Sequence, residues 1–381
     1  MIIKEINIKR NFFSRRTFFI FVTDNKTIIK ELNLHFDKDL AGYIKYNLKG
    51  LEVNSLEDVI YFSNKIPHCS ADLLIFIQTS ILSCFNFPWQ LINKDLDQIP
   101  RILFPIFKKS FGIKEFYVFS LNCNDLALAH KTFKDILSSF DLAYKGDADE
   151  IILDVLHDVV KNVNKDLDFS VRIGVKFSNY ESEKYVYGKA RDIKLNVDEQ
   201  FEYVVNLVEK YNLSYIEDVF YESLFEDYTK ITEKLKGRCL VSFNSKINSF
   251  EKGLEIDAFN CVLLSLDSLS NLKTNLSLLS SKKIPPIIFV KDNLVDLVSG
   301  LKIPLIKFDL VDSDKIVKRI LGIQDEIKSK KIKQDIENYT EKESVNTSVE
   351  EIVIDPIGEV EGQDVEYKAS DEKKSKQKLF K

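Results

Sequence analysis

From Pro88 to about Lys328 the chain alternates short apolar runs with amphipathic stretches, and this rhythm restricts the architecture more than any other feature. The runs Trp89–Asn93, Glu115–Leu121, Phe169–Phe177, Ser214–Phe220, Cys239–Ser242, Asn260–Leu266, Ile287–Lys291 and Leu305–Leu310 read as strands. Asp198–Tyr211, Leu224–Leu235 and Asp314–Ile327 repeat their apolar residues at helical spacing. Eight strands, mostly helix-linked in the second half, predict a closed, parallel-type (β/α)8-like barrel. A doubly wound open sheet is the competitor. No glycine-rich phosphate loop follows any of the strands, which disfavours a nucleotide-binding fold.

The first 87 residues have a different pattern. Ile2–Ile8, Thr17–Thr23 and Thr27–Leu34 are alternating or apolar runs. They are separated by residues 11–16 and by the turn Asp24-Asn25-Lys26, which predicts an antiparallel meander. Helical periodicity follows over Ser55–Ser63 and Ala71–Phe85, so the segment reads as a small α+β unit. Beyond Lys328 the pattern stops. Residues 329–381 are rich in Lys, Glu and Ser, with few aromatics, and cannot bury enough apolar surface to offset their ordering entropy. The expected organisation is an α/β chain with an N-terminal α+β domain (1–87), a barrel domain (88–328) and a disordered charged tail (329–381).

Composition removes several function classes. A net charge of -5, with Lys and acid interspersed, gives no basis for nucleic-acid binding. The cysteines Cys69, Cys84, Cys123, Cys239 and Cys261 lie far apart, mostly in apolar runs, and read as free thiols of a reducing compartment. The 4 histidines are equally scattered, so neither a zinc site nor a Cys/His nucleophile emerges. Met1-Ile2-Ile3-Lys4-Glu5 opens on a strand pattern, and the longest apolar stretch, residues 71–87, is interrupted by Asp72 and Gln78. No membrane span is expected, and the location implied is cytoplasmic.

Several segments, in chain order, resemble the enolase family. Tyr215-Ile216-Glu217-Asp218-Val219-Phe220 is similar to that family's S-I-E-D-P-F strand, and residues 260–266 to its N-x-L-L-L-K-V strand. Leu305-Ile306-Lys307 resembles its Q-I-K strand, with the Asp314–Ile327 stretch as the helix that follows. Residues 172–178, Lys114-Glu115-Phe116, Gly146-Asp147-Ala148 and Phe12-Phe13-Ser14-Arg15 are weaker matches. The resemblance implies an enolase-type fold and, in an intact member, dehydration of 2-phosphoglycerate. That reaction removes a proton beside a carboxylate, and the family neutralises the resulting charge with Mg²⁺ held by strand-end carboxylates, while a lysine takes the proton.

Carried onto this sequence, those positions are mostly changed. The first metal carboxylate falls on Lys176, the second is kept as Glu217, and the third falls on Phe243, beside Asn244. The base falls on Ser265, and the assisting carboxylate on Ala148, with Asp149 and Glu150 next to it. The mobile substrate loop is replaced by residues 31–44, the phosphate-holding segment by Val290-Lys291-Asp292-Asn293, and the loop after the first barrel strand by Asn93-Lys94-Asp95. Retained matches are Arg15, Glu115, Glu217, Asp218 and Lys307. They are either a charged pocket at the barrel mouth, with Glu115 and Lys307 catalytic and Arg15 and Lys307 on substrate, or ion pairs that hold the barrel. Lys176, on the strand beside Glu217, is expected to reach that carboxylate in place of a metal.

The leading expectation is an enolase-like chain without dehydratase activity, acting through binding or assembly. It needs no cofactor, since Mg²⁺ is required only if enolase chemistry persists. The resemblance implies a homodimer, or a heterodimer with a true enolase, and a phosphorylated acid as the candidate ligand. The alternative is a divergent but active lyase, with Lys176 or Lys307 as a base whose pKa burial lowers. A third reading, adhesion through the lysine-rich terminus, has only the terminal Lys381 in its favour.

Overall fold

The computed structural model describes residues 1–10, 17–24, 27–32, 38–63, 66, 70–85, 88–93, 96–177, 179–188, 191–221, 223–244, 250–266, 268–291 and 294–346. Residues 1–330 form one compact unit and 331–381 a second. At the N-terminus β1 (Ile3–Arg10), β2 (Thr17–Thr23) and β3 (Thr27–Leu32) make an antiparallel meander. Along β2, Thr17, Phe19, Phe21 and Thr23 are buried and the residues between them are half-buried, the two-residue period of a sheet with one covered face. Helices α1 (Lys38–Leu48), α2 (Leu56–Ser63) and α3 (Ala71–Leu82) follow. Ser70 caps α3 by accepting from the Leu73 amide, and the buried Gln78 side chain accepts from the Leu269 amide, tying α3 to the barrel.

The run Trp89–Asn93, expected as the first barrel strand, is instead a short helix, α4 (Pro88–Ile92). Pro88 occupies the first helical position, where its missing N–H costs nothing. The first barrel strand is β4 (Arg101–Lys108), whose Pro105 sits at an irregularity in its pairing with β5 (Ile113–Leu121). Proline ordinarily demotes a run to an edge or bulge, and here it masks a barrel strand. After β5 come α5 (Leu126–Ala143), α6 (Asp149–Val163) and β6 (Ser170–Phe177), then a three-stranded insertion of β7 (Tyr180–Glu181), β8 (Lys184–Tyr187) and β9 (Ile193–Leu195).

From α7 (Val197–Tyr211) the expected rhythm holds: β10 (Leu213–Glu217), α8 (Phe225–Lys234), β11 (Leu240–Asn244), α9 (Phe250–Glu255), β12 (Cys261–Leu264), α10 (Leu269–Ser281), β13 (Pro286–Phe289), α11 (Val295–Gly300) and β14 (Leu305–Lys307). Helix α7 starts in a full capping box of Asn196 and Glu199. The last helix, α12 (Ser313–Asn346), extends well past Ile327, where the sequence pattern ends it. Residues 329–346 hold no Gly or Pro and are rich in Lys and Glu, both good helix formers. The remainder of the expected tail, 347–381, lies outside the described residues.

Eight strands close the barrel in the order β10-β11-β12-β13-β14-β4-β5-β6. The pairs around β10–β14 and β4 are parallel, whereas β5 runs antiparallel to both β4 and β6. A lumen core of Leu103, Tyr117, Phe119, Tyr215, Cys261, Leu263, Ile287 and Leu305 fills the interior, separate from the larger core under the helices. Gly174 makes that filling fit, because a Cβ there would lie 3.0 Å from Tyr215 Cβ and Cδ1. Cys84, Cys239 and Cys261 are buried free thiols and Cys123 is partly exposed, while Cys69 lies outside the described residues. Among the described residues no helix is long and apolar enough to cross a membrane.

Candidate functional site

The inward-facing positions above the lumen core converge on one carboxylate. Glu217 ends β10 and is fully buried, and its register partner on β6 is Lys176. The Lys176 ammonium donates to Glu217 Oε1 at 2.7 Å and contacts Asp218 Oδ2 at 3.1 Å. From β14, Lys307 Nζ reaches both Glu217 oxygens, at 3.1 and 2.8 Å, and lies 3.5 Å from Glu115 Oε2 on β5. The Tyr215 hydroxyl donates to Glu217 Oε2 at 2.6 Å, and the Tyr117 hydroxyl donates to Glu115. Lys307 Nζ also stands 5.0 Å from the centre of the Tyr117 ring. At the rim, the exposed Lys108 lies 3.3 Å from Glu115 Oε1 and 3.8 Å from Asp309.

These contacts set the charge states. Burial on its own would raise the Glu217 carboxyl, but the Lys307 and Lys176 ammoniums outweigh it and hold the group at about 2. Burial, reinforced by the Glu217 charge, raises Asp218 to about 6 despite Lys176. Glu115 resists its own burial and stays below the usual carboxylate range because of Lys307 and the Tyr117 hydrogen bond. Burial works against the Lys176 charge, yet Glu217 and Asp218 push its pKa above the ordinary lysine value. Burial and the nearby carboxylates push Tyr117 and Tyr215 far above the phenol range. Lys176 is therefore an ammonium committed to carboxylates rather than a base, and Lys307 Nζ is taken up by contacts with Glu217 and Glu115.

The other expected site residues divide clearly. Glu115, Lys176, Glu217, Asp218 and Lys307 meet at this mouth. Phe243 does not. It stacks on Phe259 at 5.1 Å and packs against Phe225 and Tyr228 of α8, on the helix side of the barrel wall. Strand alternation gives the opposite face to Ser242 and Asn244. Ser265 follows β12, half-buried. Asp149, the first residue of α6, is bound by Lys109 and accepts from the Ile113 amide at 3.1 Å, so it latches the β4–β5 hairpin. Burial raises its carboxyl. Gly112, at φ +63, gives Asp149 its space: a Cβ there would lie 2.2 Å from Asp149 Oδ2. Arg15, Asp292 and Asn293 lie outside the described residues, and Lys291 is exposed.

Sequence reasoning passed over Tyr117 and Tyr215. Each lies two residues from a retained carboxylate on the same strand, so the period of two already placed them on the Glu115 and Glu217 face. Among the described residues no group of three or more His, Cys, Asp or Glu is arranged to hold a metal ion. A hard divalent cation needs open carboxylate oxygens. Both Glu217 oxygens instead receive ammonium hydrogens, and one also takes a phenol hydrogen.

No family model matches the chain. It is 30% identical to the enolase of Archaeoglobus fulgidus over 178 residues, which cover 41% of this chain and 43% of that protein. Over 165 residues it is 32% identical to the enolase of Methanocorpusculum labreanum, covering 38% of this chain and 41% of the other. A longer, weaker match of 22% over 258 residues joins it to the enolase of Methanothermobacter thermautotrophicus, with 58% and 62% covered. The chain thus spans about two fifths of the first two relatives' length.

Proposed function

Since the chain is a divergent relative of the enolases, we propose that it keeps their frame without dehydrating 2-phosphoglycerate and acts as a binding or assembly subunit. Its working parts on this reading are an N-terminal α+β domain (1–87) and a barrel domain (88–328). One observation carries the proposal: Glu217, the one metal carboxylate retained from the family pattern, has both oxygens engaged by Lys176 and Lys307. An enediolate intermediate needs concentrated positive charge that is free to face it. The two mouth ammoniums face carboxylates of the chain itself. The residues present do not suit Mg²⁺.

Glu115 is held ionised beside Lys307, and so lacks the raised pKa of a general acid. The same pairing argues against Lys307 as a base. Assembly as a homodimer, or with an intact enolase, follows from the family kinship, as does a phosphorylated acid as ligand. The experiment is a coupled assay for phosphoenolpyruvate formation with saturating Mg²⁺. The expected outcome is no turnover above the uncatalysed rate, and measurable turnover overturns the proposal.

A further inference from the structure

We propose that Lys176 and Lys307 form a built-in counter-ion clasp, which fastens β14, β5, β6 and β10 together across the barrel mouth and makes the closed barrel independent of a divalent cation. This rests on the reading that Glu217 binds no metal, but it assigns the site a duty of its own. The backbone ladder links β14 to β4, β4 to β5, β5 to β6 and β6 to β10. The Lys307–Glu217 contact makes a link the ladder lacks, from β14 directly to β10. Lys176 adds a second attachment on β6, and Glu115 fixes Lys307 from β5.

The charge arithmetic matches the geometry. Two ammoniums bring the formal charge of one divalent ion, and they are set on either side of the carboxylate that most needs it. The Lys307 side chain is 4% exposed, Lys176 15% and Glu217 0%, so water screens none of the three well. Lys176 Nζ lies between Glu217 Oε1 and Asp218 Oδ2, in the space a cation shared by those two carboxylates would take. A buried carboxylate left alone would take up a proton or open the mouth to water. The clasp prevents both, and a third donor, the Tyr215 hydroxyl, completes the shell.

The test uses the full chain, with Mg²⁺ and Mn²⁺ as probes, and reads thermal unfolding together with the Mn²⁺ electron paramagnetic resonance signal. Wild-type protein is expected to show one Tm whether EDTA or millimolar Mg²⁺ is present, and to leave Mn²⁺ free. Lys176→Met should lower Tm by a few degrees, with no recovery in Mg²⁺. Lys176→Asp places a third carboxylate beside Glu217 and Asp218, and should gain a Tm that rises with Mg²⁺ and an immobilised Mn²⁺ signal. A wild-type Tm that moves with Mg²⁺ or EDTA overturns the clasp, as does a folded Lys176→Asp protein indifferent to both ions. If Lys176→Asp does not fold even in Mg²⁺, Lys176→Met decides, since a wild-type Tm there removes the clasp. A Mg²⁺-shifted Tm without phosphoenolpyruvate formation refutes the clasp alone. Turnover with an unmoved Tm refutes the functional proposal alone.

Discussion

Glu217→Gln should cost the fold about 3 kcal/mol at neutral pH, and two separate arguments give that size. Removing one partner of a buried ion pair leaves the other charge uncompensated, which typically costs about 3–5 kcal/mol. Here each stranded ammonium keeps a weaker partner, Asp218 at 3.1 Å for Lys176 and Glu115 at 3.5 Å for Lys307, which places the cost at the low end. Proton linkage gives a cost of the same size. A carboxyl held at about 2, against an ordinary 4.5, prefers its ionised form in the folded state by about 3 kcal/mol. Because the folded pKa is depressed, this stability is fully present above pH 4.5 and drains away as pH falls toward 2.

The measurement is urea unfolding of wild type and Glu217→Gln at a series of pH values, with Tm as a second reading. At about 2.1 cal/mol/K per residue over the compact unit of residues 1–330, 3 kcal/mol corresponds to a Tm loss of about 4 °C. The gap between the two proteins should narrow steadily as pH falls from 4.5 toward 2. A gap under about 1 kcal/mol at neutral pH, the size of an exposed pair, refutes the reasoning. So does a gap that stays constant down to about pH 3, since the linkage argument requires it to shrink.

Asp218 titrates in the opposite sense, and Asp218→Asn isolates it: the fold keeps the Asp218 proton up to about 6, whereas the unfolded chain loses it near 3.8, so stability falls as pH rises between the two. The asparagine variant, which tolerates the left-handed φ of 55 at this position, should lack that fall and gain on wild type by about 2 kcal/mol between pH 4 and 6, after allowing for a side chain one-quarter exposed; parallel pH profiles refute it. Gly174→Ala should lower the urea midpoint by the equivalent of about 1–3 kcal/mol, because the new methyl meets the Tyr215 ring inside a filled lumen; an unchanged midpoint means that the ring shifts freely.

The architecture was legible where periodicity dominates. β10 through β14 alternate with amphipathic helices, and each expected run overlaps an observed strand because the apolar residues mark both faces of a buried strand. It was illegible where a short apolar run has no period of its own. Trp89-Gln90-Leu91-Ile92 has the composition of a strand, and its helical state depends on partners far away. Gly300 lets α11 pack closely on α4, since a Cβ there would lie 2.8 Å from Ile92 Cβ and 2.9 Å from the Trp89 carbonyl oxygen, and Trp89 Nε1 donates to Glu326 of α12. Pro105 hid β4 by the opposite error, a local breaker overridden by barrel closure. At the site, the pairing of Lys176 with Glu217 was readable from neighbouring strands of a parallel barrel. The cross-lumen reach of Lys307 was not, because it depends on the stagger that closes the barrel. Phe243 shows the limit of matching by position: its side chain faces the helices, and only strand alternation around Ser242 and Asn244 reveals it.

A buried ionic cluster is rarely the most stable filling for a barrel mouth, since well-packed apolar residues of similar size do as well or better. Its persistence therefore calls for a reason other than energy at equilibrium, and the contact pattern supplies one. Removing Glu217 alone strands Lys176 and Lys307 and leaves the Tyr215 hydroxyl without its acceptor. Removing Lys176 alone returns Asp218 and Glu217 to mutual repulsion, and removing Lys307 alone exposes Glu115 to the same fate. Each of these three single substitutions is costly, and only several made together reach the apolar alternative. A lysine at position 176, by contrast, neutralises a lone buried carboxylate in one step. On the proposed reading, the mouth is fixed by its neighbours rather than by a ligand.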